Sequence, residues 1–144
     1  MILKSSVTFD WDKISPLVRW QRDDSGVLMA NKQSGGIPDF FTTYFGTAIS
    51  EIEALTGKKA IHVMLNSLPW NCIVPIHTDT VIQNPRRWHL PLVTDPKHCF
   101  FWDEDSGFKF PEVGYWYEVD YSIRHTIGNL GMRERVHLIV DTLR

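Results

Sequence analysis

Beyond Lys59 the chain breaks into short apolar or alternating runs: residues 60–65, 72–76, 87–93, 98–102, 114–119, 123–127 and 136–141, each bounded by Pro, Gly, Asn or Asp. Runs of this length and composition read as strands. No helical segment separates them, so a parallel sheet with crossover helices has no room to form. Many close-set strands pair antiparallel, and the solution that leaves fewest open edges is a sandwich or jelly roll. The expected fold is therefore mainly β, a double-stranded β-helix or related sandwich.

One segment has another period. Over residues 38–55, Phe41, Tyr44, Phe45, Ala48, Ile49, Ile52 and Leu55 recur at three- and four-residue steps, which builds one helical face. Pro38 suits the first turn and Gly57 the end. This main helix should cover the outside of the larger sheet. An early strand is expected near residues 3–9, and the turn-rich stretch 21–38 reads as a hairpin or loops leading into the helix. At 144 residues the chain predicts a single domain, with residues 1–59 carrying the strand, loops and helix and 60–141 the β core.

The balance of charges narrows function by exclusion. A formal net charge of -2 gives no field to gather nucleic acid or an anionic membrane. No apolar run approaches the roughly 18 residues of a membrane span, and the N-terminus has no signal-peptide pattern, which predicts a cytoplasmic protein. Cys72 and Cys99 form no CxxC pair and read as buried thiols.

The chemistry concentrates in the stretch PIHTDTVIQNPRRWHLPL, residues 75–92. Residues two apart on a strand share a face, so His77 and Asp79 project together. A second histidine, His125, stands in the next-to-last run. Two imidazoles and a carboxylate on one face leave coordination positions open and suit non-haem Fe(II). The competing reading is a pair of core histidines satisfied by hydrogen bonds. Arg87 and His89 again lie two apart, and Arg135 and His137 repeat that pattern on the last run. An inward guanidinium in an apolar sheet needs an anion, and a dicarboxylate ligand would meet two of them. An internal ion pair from Arg135 to Asp141, Glu134 or Asp120 would satisfy it equally. Trp88 should point away from the pocket, while Trp70, Trp102 and Trp116 stand as either pocket mouth or core. Asn84, Arg86, Arg124 and Arg133 flank the open end, where a cation would suit an acidic substrate. His62 and His98 match no motif and read as structural or exposed.

Taken in order, HTD, RRWHLPL, EVG, D-x-S-x-x-H and RERVHLIVD resemble the motifs of the aspartyl/asparaginyl β-hydroxylase family, Fe(II)- and 2-oxoglutarate-dependent dioxygenases with a double-stranded β-helix fold. The resemblance spans about residues 60–141. It implies iron ligation by His77, Asp79 and His125. It implies also that Arg87 and His89 contact one carboxylate of 2-oxoglutarate, that Arg135 holds the other, and that Ser67 contributes to cosubstrate binding. Asp79 departs from members that bind iron through two histidines alone, and a carboxylate there disfavours the halogenating variant of this chemistry. The implied reaction consumes O2 and 2-oxoglutarate and hydroxylates an aspartyl or asparaginyl residue or a small amino-acid-like molecule. A non-catalytic, cupin-like carboxylate-binding module is the alternative. A purely structural protein would leave two inward Arg/His pairs without an anion.

Overall fold

The computed structural model describes residues 1–23, 26–31 and 36–144. It contains strands β1 (Ile2–Lys4), β2 (Gln21–Arg22), β3 (Leu28–Ala30), β4 (Ala60–Leu68), β5 (Cys72–Ile73), β6 (Arg86–Val93), β7 (Cys99–Asp103), β8 (Gly107–Lys109), β9 (Tyr115–Val119), β10 (His125–Asn129) and β11 (Arg135–Thr142). A one-turn helix α1 (Trp11–Ile14) precedes the long helix α2 (Asp39–Thr56). The strands form a seven-stranded sheet in the order β1-β9-β6-β11-β4-β3-β2 and a four-stranded sheet in the order β5-β10-β7-β8. Every strand pair in both sheets is antiparallel. The fold is the double-stranded β-helix.

Helix α2 follows Pro38 as its capping residue and ends where Gly57 takes a left-handed conformation (φ 67°), its N–H returning to the Glu53 carbonyl at 2.8 Å. That conformation costs a glycine little, so the stop is encoded locally. The helix buries Phe41, Phe45, Ala48, Ile49 and Ile52 on the outer face of the large sheet, against Val63, Leu65, Trp88, Leu90, Val136, Leu138 and Val140. Each large apolar side chain so buried contributes roughly 1.5–3 kcal/mol. Glu51 ties the same helix to the sheet, accepting hydrogen bonds from Trp116 Nε1 at 2.7 Å and Ser5 Oγ at 2.6 Å. Among the described residues, no helix is long and apolar enough to cross a membrane.

Strand alternation sends the intervening residues to the other face, between the sheets. Met64, Leu68 and Ile139 lie there with Val27, Met29 and Val74. Two differences from the sequence expectations stand out, one in the run at 72–76 and one in two short unforeseen elements, while the hairpin expected in the turn-rich stretch is present. The run at 72–76 is a strand only at Cys72–Ile73, because Pro75 has no N–H to give a ladder. The turn-rich stretch contains the β2–β3 hairpin, although residues 24–25 and 32–35 lie outside the described residues. Strand β8 and helix α1 were not foreseen; each is too short to show a period.

Candidate metal centre and anion pocket

The two histidines of the candidate metal centre are locked together by their backbones. His77 N–H bonds the His125 carbonyl at 3.0 Å, and His125 N–H returns to the His77 carbonyl at 2.9 Å. Asp79 N–H bonds the Tyr121 carbonyl at 2.9 Å, which carries the next residue but one into the same register. His77 and Asp79 therefore share a side, and His125 at the start of β10 faces them. One ligand atom from each of His77, Asp79 and His125 lies within 4.8 Å of the others.

The imidazoles are oriented for a cation. His77 Nδ1 meets the Pro75 carbonyl at 2.7 Å and His125 Nδ1 meets the Ile123 carbonyl at 2.9 Å. A carbonyl only accepts, so each Nδ1 is the protonated nitrogen and each Nε2 lone pair turns inward. Asp79 Oδ2 lies 3.7 Å from His77 Nε2 and 3.3 Å from His125 Nε2. Metal bonds of about 2.0–2.2 Å put neighbouring ligand atoms roughly 3 Å apart, so only a small contraction is needed. The His125 hydrogen bond holds the Asp79 carboxyl below its usual range, against the effect of burial. Burial opposes charge on His125, but the bonds to Asp79 and the Ile123 carbonyl outweigh it and raise its pKa. A ring that favours a proton at Nε2 favours a metal ion in its place.

A second line of polar groups crosses the inner face of the large sheet. Asp141 pairs in register with Arg87 on one side and His62 on the other. Its carboxylate accepts from Arg87 Nε at 2.8 Å and Arg87 Nη2 at 2.9 Å, and lies 3.4 Å from His62 Nδ1. The Arg87 guanidinium also sits 5.0 Å over the Tyr121 ring. These residues line a cavity of about 1530 Å³ together with His77, Asp79 and His125. Further along β11, His137 stands opposite Asn66, and Arg135 opposite Leu68. His89 Nδ1 and His137 Nδ1 are 3.1 Å apart. Arg135, His137 and His89 reach a smaller pocket of about 20 Å³ walled by Cys99, Phe101 and Ile127.

Arg135 is 2% exposed, yet among the described residues its Nε, Nη1 and Nη2 have no hydrogen-bond partner. Burial alone draws its pKa down to about 10. A cation left this way costs several kcal/mol, an order of magnitude that an incoming carboxylate would recover. His137 Nε2 and Asn66 Oδ1 are likewise buried and unpartnered.

The internal ion pair allowed for Arg135 therefore belongs to Arg87, and Asp141 is its carboxylate. Ser67, expected at the cosubstrate, pairs in register with Val136 on the helix-facing side, and Asn66 faces the cavity. Trp88 and Trp116 are fully buried in the outer core, and Trp70 is 64% exposed. The aromatic rings at the cavity are Phe101 and Tyr121. Arg86 bonds Glu118, Arg124 bonds Glu104 and Arg133 faces Glu134, so each of these cations already meets a carboxylate. Asn84 accepts from Arg144 through its carbonyl at 2.7 Å. His98 is exposed against Asp95, while His62 joins the cavity wall.

Solved structures share this architecture at low sequence identity. An oxidoreductase of the 2OG-Fe(II) oxygenase family from Burkholderia pseudomallei superposes with a TM-score of 0.65 at 11% identity, over 92% of this chain and 76% of that one. A prolyl hydroxylase from Trichoplax adhaerens, solved with a hypoxia inducible factor peptide fragment, gives 0.64 at 9% identity over 99% and 82%. A prolyl-4-hydroxylase from Pseudomonas putida gives 0.60 at 13% identity over 94% and 82%. No curated protein matches the chain by sequence. The fold is that of the cupin-like oxygenase barrels. Within that class, the aspartyl/asparaginyl beta-hydroxylase family model matches residues 43–144, and the chain belongs to this family.

Proposed function

We propose that the protein is an Fe(II)- and 2-oxoglutarate-dependent dioxygenase that hydroxylates an aspartyl or asparaginyl residue or a small amino-acid-like substrate. The observation that carries this reading is the coexistence of a His77–Asp79–His125 donor set with a buried guanidinium, Arg135, that has no counterion among the described residues. Two imidazoles and one carboxylate are the donor set of the facial triad, and it leaves positions for a chelating keto acid and oxygen. Bound iron and 2-oxoglutarate supply the oxidising power, the keto acid leaving as succinate and carbon dioxide while a substrate C–H bond is hydroxylated.

The chain's own residues supply placement. The Pro75 and Ile123 carbonyls fix the two imidazoles, and Arg135 offers its charge to the far carboxylate of the cosubstrate. Arg87 and His89 border the metal end, and Phe101, Ile127 and Ile139 keep the wall apolar. Residues 1–59 belong to the same domain in this reading, since Trp11 and Ile14 pack into the core that α2 covers.

Anaerobic addition of Fe(II) and 2-oxoglutarate is expected to give the weak visible charge-transfer absorption of the chelate, and admission of air to yield succinate. The carboxylate-binding module predicts a different pattern. There the cosubstrate binds through Arg135, but no absorption and no succinate appear, and His125→Ala leaves that binding unchanged.

A further inference from the structure

The hydrogen bond between His89 and His137 restricts what either ring can offer a ligand. Burial first, and then the charge of Arg135, pushes the pKa of both rings well below 6.5, which favours the neutral form of each. With 3.1 Å between the two Nδ1 atoms, one proton lies between them. The ring that donates it has a bare Nε2, and the ring that accepts it carries its own proton on Nε2. Only one of the two Nε2 atoms can therefore donate to a carboxylate.

The surroundings decide which. His137 is 4% exposed, its Nε2 has no partner, and it borders the pocket that holds the unpaired Arg135. Arg135 and His137 make no hydrogen bond to each other, so a third group is needed to satisfy both. A carboxylate accepts from the guanidinium and from an Nε2–H together; a bare Nε2 would oppose its oxygens lone pair to lone pair. His89 is less deeply buried and borders the large cavity as well, where a bare nitrogen is open to a donor from a ligand or solvent.

We propose that His137 is a cosubstrate-binding residue, donating from Nε2–H to the carboxylate that Arg135 holds, and that the same contact turns His89 into a hydrogen-bond acceptor at the metal end. This rests on the dioxygenase reading and narrows it. His89 then takes an N–H or O–H from substrate or water, and the keto-acid end is left to the metal and Arg87.

Calorimetric titration of the Zn(II)-loaded protein with 2-oxoglutarate tests it without turnover. Hydrogen bonds to charged groups predict a roughly ten- to hundredfold weaker affinity in His137→Leu. His137→Gln, whose amide nitrogen reaches near the Nε2 position, should recover most of that loss, with Zn(II) affinity unchanged in both. If the wild type binds 2-oxoglutarate and His137→Leu binds it equally well, His137 has no such role, and the dioxygenase reading survives. If the wild type itself binds no 2-oxoglutarate, the dioxygenase reading falls and this inference with it. Long-range 1H–15N correlation on the unaltered Zn(II) protein with 2-oxoglutarate gives an answer independent of any variant's folding. His137 should appear protonated at Nε2 and His89 at Nδ1; the reverse assignment overturns the proposal.

Discussion

Arg87 and Arg135 both enter the interior of the barrel from the large sheet, yet they are in opposite states. Arg87 is neutralised within the chain, bidentate on Asp141, with His62 on the carboxylate's other side and Tyr121 under its guanidinium. Arg135 has no partner at any nitrogen among the described residues. The difference follows from register along β11. Asp141 falls opposite Arg87, while the residue across β4 from Arg135 is the apolar Leu68. A buried cation with a built-in partner belongs to the fold, and one without belongs to a ligand. The barrel thus carries a finished polar row beside the His77–Asp79–His125 cluster and an unfinished one at the other end.

The largest test of that contrast removes the partner. Asp141→Ala leaves Arg87 buried without its carboxylate and is expected to destabilise the protein by about 3–5 kcal/mol in urea unfolding. A loss under about 1 kcal/mol would mean that Arg87 finds solvent or another acceptor. Arg135→Met is the opposite experiment, because it removes a charge that nothing among the described residues compensates. It is expected to leave stability unchanged or raise it by up to about 4 kcal/mol, while 2-oxoglutarate binding is lost. Clear destabilisation would show that Arg135 is satisfied in the free protein, and the contrast would fail.

The same contrast shows where the sequence was legible. The run of short strands and the helical period at 38–55 appear in the structure as β4 to β7, β9 to β11 and helix α2, because each is set by local alternation and punctuation. His77 and Asp79 were readable for the same reason, being two apart on one side. The facing of Ser67 and Asn66 was not. Residues 63–68 are all buried, so β4 shows no polar alternation to say which of the two turns inward. Nor could the sequence choose between Asp141, Glu134 and Asp120 as a counterion, since that choice depends on pairing with strands far away in the chain. His137 appeared as part of an Arg/His pattern, but its contact with His89 is a diagonal one across the β6–β11 pairing, where His137 stands opposite Pro91 and His89 opposite Ile139, and that register is set between strands far apart in the chain.

The two ends of the cavity should also lose stability in different pH ranges. Burial disfavours the Asp141 carboxylate, but hydrogen bonds from Arg87 and His62 outweigh it and lower its pKa below 3.8. Its contribution is present above that value and is lost only as pH falls through the lower, folded-state pKa. His89 and His137 are different, since burial and then Arg135 hold both well below the ordinary imidazole value of 6.5. The unfolded chain takes up a proton at each ring as pH drops through about 6.5, and the folded chain does not. Stability present above that pH is therefore lost below it, at up to about 1.4 kcal/mol per pH unit for each ring. Urea unfolding between pH 7 and pH 5 (roughly the span of that imidazole titration) should give His137→Leu a shallower pH slope than the wild type, by about one ring's share. Equal slopes would mean that the ring is already charged in the folded protein, and a charged His137 beside a charged Arg135 would require a bound anion even in the free state.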